Sequence, residues 1–454
     1  MTGKVKKWLS IAMATMLMGG LLAACGGNAS NEASGGKASP SAPAAASSPS
    51  TAPSPSAAPE EKKPVKLTMT VWSEPRIATY QELAEQYKLQ NPHVSVEVIS
   101  IPFADYQQKL SVMVASGTAP DIAWLAERMV PQFLQNDQLA DISEALKNDA
   151  DYDFVDFIPS TLNIFQSGNG LYGIPFSTPP QVIFYNKTLF AAKGQKTPME
   201  WFKEGKWTYD QFQQTAAALS DPANGVFGST FGVNTKLWSD YLFGLVWGMG
   251  GEVFDDKLTT FLMNSPAGVK ALQYYKNLLD TKSHPSIGAQ ISFDGGKLGM
   301  SLENVTNTTK YRDKVEFEWD IAPMPSGDGG LVVPLGFAGY SVFKSDKQME
   351  AADFLKFLTN KENAMKIANF FVPQRKSILY SNEYLTKFAH PSQETLKISA
   401  YDQMSNGRIR PGHVNWVQID EQIALNFEAF LTGVISAEDA LSKMEKAVNP
   451  LLKQ

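Results

Sequence analysis

Two apolar, β-rich runs end with an indole beside ionisable side chains: Trp72 with Glu74, and Trp124 with Glu127 and Arg128. Ring faces hold apolar surface, and carboxylate or guanidinium groups hydrogen-bond polar rims, so such clusters suit the capture of a polar solute. Other reactive residue types are less usefully arranged. The four histidines, His93, His284, His390 and His413, form no local pair, so no transition-metal site is expected. Cys25 is the single cysteine, which excludes an internal disulfide and a cysteine-based zinc site. Asp149, Asp151 and Asp153 alternate like calcium-loop ligands, but Phe154 stands where that loop needs glycine, so they are read as a polar helix start. The chain has no GxSxG, no Ser/Cys–His pattern and no GxxxxGK[ST]. A polysaccharide hydrolase would need two carboxylates about 5–10 Å apart, and no pair of acids is singled out. No cofactor is expected.

The elements that must carry these clusters are legible around them. Residues 65–72 alternate and are β-rich, which predicts a strand ending at Trp72. Residues 75–90 read as a helix with Ile77, Tyr80, Leu83, Ala84 and Tyr87 on one face, stopped by Asn91-Pro92. Residues 94–99 read as a strand, 106–116 as a helix and 121–124 as a third strand. Strand, helix, strand, helix, strand predicts a βαβ sheet with mostly parallel strands. In such sheets ligands sit beyond the carboxyl ends of the strands, which is where both clusters fall. Further on, Pro179-Pro180 separates two strands, 171–176 and 182–187, the second entering a second lobe. Residues 298–303 read as a buried strand with an acid at its end. Residues 321–325 and 336–343 read as a return to the first lobe, and the last third is mostly helical, with faces at 349–360 and 436–448.

The 454 residues, 43% hydrophobic and 19% charged, suffice for two domains. The net charge is -6, and it becomes -9 without residues 1–24, which hold Lys4, Lys6 and Lys7 and no acid. That balance argues against nucleic acid and against electrostatic docking on anionic lipid. Lys4, Lys6 and Lys7 precede an apolar stretch too short and too interrupted for a membrane span. It ends Leu22-Ala23-Ala24-Cys25-Gly26, which resembles the lipobox of bacterial lipoprotein precursors. The resemblance implies cleavage before Cys25, acylation of its sulfur, and a chain held on the outer face of a cell membrane by lipid alone. Residues 38–59 contain only Ala, Ser, Pro and one Thr. Such a segment cannot bury a core and is expected to be an extended spacer with a reach of roughly 70 Å.

Taken in order, nine segments of the chain resemble family 1 extracellular solute-binding proteins, the carbohydrate receptors of ABC importers. They are Val71-Trp72-Ser73-Glu74, residues 115–122, Tyr172-Gly173-Ile174-Pro175-Phe176, Phe184-Tyr185-Asn186-Lys187, Gly299-Met300, Pro323-Met324-Pro325, residues 354–359, Gly433, and residues 436–441. The resemblance implies an α/β, two-lobed, periplasmic-binding-protein-like fold of type II, with a ligand cleft between lobes joined by crossover strands. Its implied layout is a signal peptide at 1–24, a lipidated cysteine and linker at 25–64, lobe 1 at 65–177 and 324–372, and lobe 2 at 178–323 and 373–454. The implied partners are a sugar or oligosaccharide and the permease subunits of the importer, with the receptor a monomer. Two alternatives stay open: a ligand-sensing lipoprotein signalling to a sensor kinase, and the same fold taking a non-sugar solute. An anion receptor would show clustered arginines at a Ser/Thr/Gly-rich helix start, and aromatics outnumber such a cluster.

The candidate ligand-binding residues are Trp72, Glu74, Trp124, Glu127, Arg128, Trp238, Tyr241, Glu303, Asn304, Phe337, Tyr340, Arg375 and Trp416, with Cys25 as the lipidation site. Each has a plainer reading. Trp72, Trp238 and Tyr241 could pack as core, Glu127 and Arg128 could be a solvated surface pair, Phe337 and Tyr340 a hinge turn between glycines, and Arg375 a helix cap. After Glu303 the chain has Asn304-Val305-Thr306-Asn307 where many family members have a glycine and an aromatic. This leaves Glu303 and Asn304 as polar contacts rather than a stacking site.

Overall fold

The computed structural model describes residues 62–453 apart from 73–75, 148, 313 and 387–389. Cys25, the Ala/Ser/Pro segment and Glu74 lie outside the described residues. Strand β1, Val65–Val71, buries Leu67, Met69 and Val71, the alternation that its sequence predicts. Helix α1, Ile77–Gln90, buries Tyr80, Leu83, Ala84 and Tyr87 against the sheet and ends at Asn91. Strand β2, Val94–Ser100, follows and pairs parallel to β1.

Helix α2 spans Phe103–Ala115, three residues earlier than the apolar periodicity predicts. Pro102 sets the turn into it, and Asp105 suits the positive end of its dipole. Strand β3, Ile122–Ala126, is buried throughout and also runs parallel to β1. Together with β4, Ile174–Ser177, and β10, Ala338–Val342, these strands form a five-stranded sheet in the order β2-β1-β3-β10-β4. Strand β10 runs antiparallel to both its neighbours.

The second sheet has the order β8-β5-β7-β6. Its strands are β5 (Gln181–Asn186), β6 (Phe227–Thr230), β7 (Leu298–Asn304) and β8 (Trp319–Ala322). Helix α3, Tyr209–Leu219, packs beside it, and helix α4, Ser239–Gly248, is almost wholly buried. The chain ends in helices α5, Trp416–Leu431, and α6, Ala437–Leu451, which pack on each other; Ser436 caps α6 by accepting from Asp439 N–H.

Each sheet has its own core. Residues from Leu67 to Phe176 and from Phe337 to Phe371 close around the first, while side chains such as Ile183, Trp238, Met300 and Trp416 close around the second. Met324, Val333 and Leu335 still belong to the second core, so the return crossing lies near Gly336 rather than at residue 324. There, Gly336 N–H donates to the Pro179 carbonyl over 2.8 Å, and Pro180 bridges Leu335. The two crossing segments are thus tied to each other. Strand β9, Val333–Leu335, leads into this crossing and pairs with β11, Gly407–Ile409. Asp149 caps a short 3-10 turn by accepting from the Asp151 and Tyr152 N–H groups, so the alternating aspartates do open a helical turn.

Candidate functional site

Between the sheets lies a cavity of about 280 Å³, and its wall draws on both lobes and on the crossings. The end of β1 contributes Trp72, the start of α1 contributes Arg76, the start of α2 contributes Phe103, and the end of β3 contributes Glu127. Ser177, Pro179 and Phe337 come from the crossing segments, and Phe371 from the later return. The second lobe supplies Asp240 at the start of α4, Asn304, Thr306 and Asn307 at the end of β7, and Arg410 just after β11.

Aromatic neighbours hold Trp72 in place. Its ring lies 5.4 Å from Phe103, 5.2 Å from Tyr106 and 5.1 Å from Trp124, the last two edge to face. Edge-to-face packing of this kind stabilises one ring orientation, leaving a partly buried indole as a rigid part of the wall.

The charged wall is organised by Arg410. Its Nη2 lies 2.8 Å from Glu127 Oε1, and its Nη1 donates to Asp240 Oδ1. Glu127 and Arg410 are both buried. Burial opposes the charge on Arg410, but Glu127 and Asp240 outweigh it and hold the guanidinium above its ordinary pKa. One arginine therefore ties an acid of the first lobe to an acid of the second. With that cation between them, the two carboxylates are arranged to orient a solute rather than to act as a separated acid and base.

Among the described residues, four buried polar atoms of the wall have no hydrogen-bond partner: Glu127 Oε2, Ser177 Oγ, Asn304 Oδ1 and the donor Arg410 Nε. Leaving such atoms unpaired costs about 1–3 kcal/mol each, so the wall favours a solute that brings hydroxyl or amide donors. Glu303 stands behind this wall, not in it. Both its oxygens are occupied: one accepts from Ser301 Oγ over 2.7 Å, and the other accepts from Asn307 Nδ2 and from the Tyr311 hydroxyl. Glu303 thereby positions Asn307.

The remaining candidates separate cleanly. Trp72, Glu127, Asn304 and Phe337 line the cavity. Arg128 does not; it lies 4.7 Å over the Phe103 ring and borders a neighbouring cavity of about 380 Å³ together with Asp420. Trp124 is fully buried among Trp72, Tyr80, Phe176, Tyr340 and Phe371, because β3 is an inner strand covered on both faces. Tyr340, on the strand beside it, is buried with its hydroxyl against that of Tyr80. Trp238 stacks on Trp416 at 6.1 Å and donates to Asp420 Oδ1 over 2.6 Å, and Tyr241 stacks on Tyr275 at 5.2 Å. All three of Trp238, Tyr241 and Trp416 are core of the second lobe.

Arg375 is a buried strut. It donates to the carbonyls of Thr359, Tyr152 and Asp153, pairs with Asp156 at 3.4 Å and lies over the Tyr152 and Phe157 rings. The wall residues not expected from sequence include Arg76, Phe103, Ser177, Asp240, Thr306, Asn307, Phe371 and Arg410. A charged residue directly before Pro411-Gly412, and an acid in the first turn of a glycine- and aromatic-rich helix, are the signals that could have marked Arg410 and Asp240.

Comparison with known proteins gives this geometry a context. A family model described as bacterial extracellular solute-binding protein matches residues 72–365. Among solved structures, an ABC substrate-binding protein from Listeria monocytogenes, in complex with cycloalternan, superposes with a TM-score of 0.77 at 26% identity, covering 86% of this chain and 100% of that one. An uncharacterized lipoprotein from Streptomyces antibioticus is 25% identical over 65% of this chain and 67% of its own length. The arabinooligosaccharide-binding protein of Bacillus subtilis is 21% identical over 63% of this chain and 67% of its own.

Proposed function

The chain belongs to the family of bacterial extracellular solute-binding proteins, and within that family we propose that it is a receptor for a sugar or oligosaccharide, which it takes into the cavity between its lobes and delivers to the permease of an ABC importer. The observation that carries this reading is the composition of the cavity wall. A ring-braced Trp72 stands with Phe103 beside buried acceptors on Glu127, Ser177 and Asn304 that have no partner among the described residues. A pyranose or furanose offers the complement, a face of C–H groups and a rim of hydroxyl donors. The relatives named for cycloalternan and arabinooligosaccharide support the same class. Members of the family bind substrates and are not enzymes.

The mechanism is capture by closure. A solute bridging both walls stabilises the arrangement in which Arg410 holds Glu127 and Asp240 together, and the permease reads that closed form. The receptor works as a monomer, anchored by lipid on Cys25 at the outer face of the membrane, with residues 38–59 as its leash. The similarity to a named lipoprotein supports the anchor.

A thermal-shift screen of mono- to oligosaccharides tests the ligand class. Stabilisation should follow RT ln(1 + [L]/Kd), about 2.7 kcal/mol at a hundredfold excess over Kd. A screen in which no glycan raises the melting temperature while another solute class does would remove the sugar assignment.

A further inference from the structure

The cavity wall holds two arginines and two acids, but both acids engage the same arginine. Arg410 is matched by Glu127 and Asp240. Arg76 is not matched: among the described residues its guanidinium has no ion pair and no hydrogen bond, and its one close contact is the Phe371 ring, 4.3 Å below it. Arginine keeps five donors in a fixed fork, and stacking on a ring leaves the edge of that fork free for a planar acceptor. Burial without a partner lowers the Arg76 pKa to about 10, which means that the surroundings penalise its charge instead of balancing it. Its backbone opens α1, a 14-residue helix whose first turn has no acid and no side-chain cap, so the positive end of the helix adds to the same spot.

We propose that the ligand of this cavity is an acidic saccharide, a uronate whose carboxylate is received by Arg76 while its ring meets Trp72 and its hydroxyls meet Glu127, Ser177 and Asn304. The proposal rests on the sugar-receptor reading above. A carboxylate suits the site better than a phosphate ester. One guanidinium without an ion pair among the described residues balances a single negative charge, whereas a phosphate near neutral pH brings about -1.5 to -2 and meets more repulsion from Glu127 and Asp240 than a carboxylate does. The acidic net charge of the chain makes this local cation the more telling, since it is not part of a generally basic surface.

The test is calorimetric titration of matched pairs: di- and trigalacturonate against the corresponding neutral galacto-oligosaccharides, and glucuronate-substituted against unsubstituted xylo-oligosaccharides, with a sugar phosphate as a third arm. The expected result is that one acidic saccharide binds at least about tenfold more tightly than its neutral partner at low salt, as a charge-assisted bidentate contact provides. In Arg76→Gln that preference should shrink to within about twofold, because the acidic partner loses at least about fivefold more affinity than the neutral one. Arg76→Lys should keep part of the preference, because it keeps the charge without the fork. Both variants are compared with the parent by melting temperature, so that a fold defect is not read as lost recognition. A neutral partner that binds as tightly as the acidic one overturns the proposal and leaves the sugar-receptor reading standing. So does an Arg76→Gln variant that loses both partners equally, or a sugar phosphate that outcompetes every uronate. If no saccharide of either kind binds, both fall together.

Discussion

Trp72 follows directly on the end of β1, but Trp124 is the middle residue of β3, which runs two residues past the end expected from its sequence, and only Trp72 lines the cavity. The difference lies in what covers them. Tyr80, Phe176, Tyr340 and Phe371 close over Trp124 from distant parts of the chain, and the sequence near residue 124 holds no trace of them. The end of β1 was therefore legible, whereas the end of β3 and the burial of Trp124 were not. Glu127, Asn304 and Phe337 were found because each follows directly on a recognisable strand or glycine pair. Trp72→Ala removes the braced ring from the wall, and ligand affinity should fall by about 2 kcal/mol, roughly thirtyfold in Kd by titration calorimetry. An unchanged Kd would take Trp72 out of the site. Arg375 makes the opposite case. Arg375→Met removes the cation beside the buried Asp156 carboxylate and the donors to three carbonyls, and stability should drop by about 3–5 kcal/mol in urea denaturation. Ligand affinity of the folded protein should hold to within about twofold. Lost affinity at unchanged stability would return Arg375 to the list of ligand contacts.

At the level of elements, periodicity located α1, β1 and β2 because each has one face against the same core, and a repeat of 3.6 or 2 records that. It misplaced the start of α2, where Phe103–Asp105 lack an apolar repeat and Pro102 sets the turn instead. That displacement hid Phe103, which sits in the first turn and faces the cavity. It also missed the segment after β11, which belongs to no regular element. Here Arg410 reaches Glu127, and two residues on, Gly412 packs its backbone against the first lobe. A side-chain carbon at Gly412 would stand 2.6 Å from the Glu127 carbonyl oxygen and 2.7 Å from Arg128 Cα, both backbone atoms with little room to yield. Gly412→Val should hold the lobes apart at that edge. Ligand affinity should weaken at least about tenfold, and the ligand-induced contraction measured by small-angle scattering should shrink. A variant that contracts and binds like the parent would show that this loop does not gate closure.

For the whole molecule, location and binding are separate properties. Cys25→Ser should move the protein from the membrane fraction to the medium while leaving Kd unchanged, and a variant that stays with the membrane would remove the lipid anchor. Stability against acid, by contrast, depends on two buried groups that pull in opposite directions. Asp420 sits between the lobes, held by Trp238 Nε1–H. Burial raises its pKa to about 6; Arg128 and the Trp238 bond oppose the rise, and Asp240 and Glu421 add to it. Its contribution to stability is therefore complete below the carboxylate's ordinary 3.8 and is lost as pH climbs through about 6. His284 lies in the second lobe. Its Nδ1 donates to the Pro285 carbonyl and its Nε2 accepts from Phe231 N–H, a pattern that only the neutral ring satisfies. Burial lowers its pKa to about 4, so its contribution is present above 6.5 and drains away as pH falls toward that value. The two windows overlap almost completely, and each slope masks the other in the intact protein. Substituting one group at a time should expose them. Relative to the parent, Asp420→Asn should gain stability as pH rises from about 4 to 6.5, and His284→Gln should gain it as pH falls across the same range. Denaturant midpoints taken through that window read the two slopes directly, and slopes of the same sign would mean that at least one of these groups titrates like an exposed side chain.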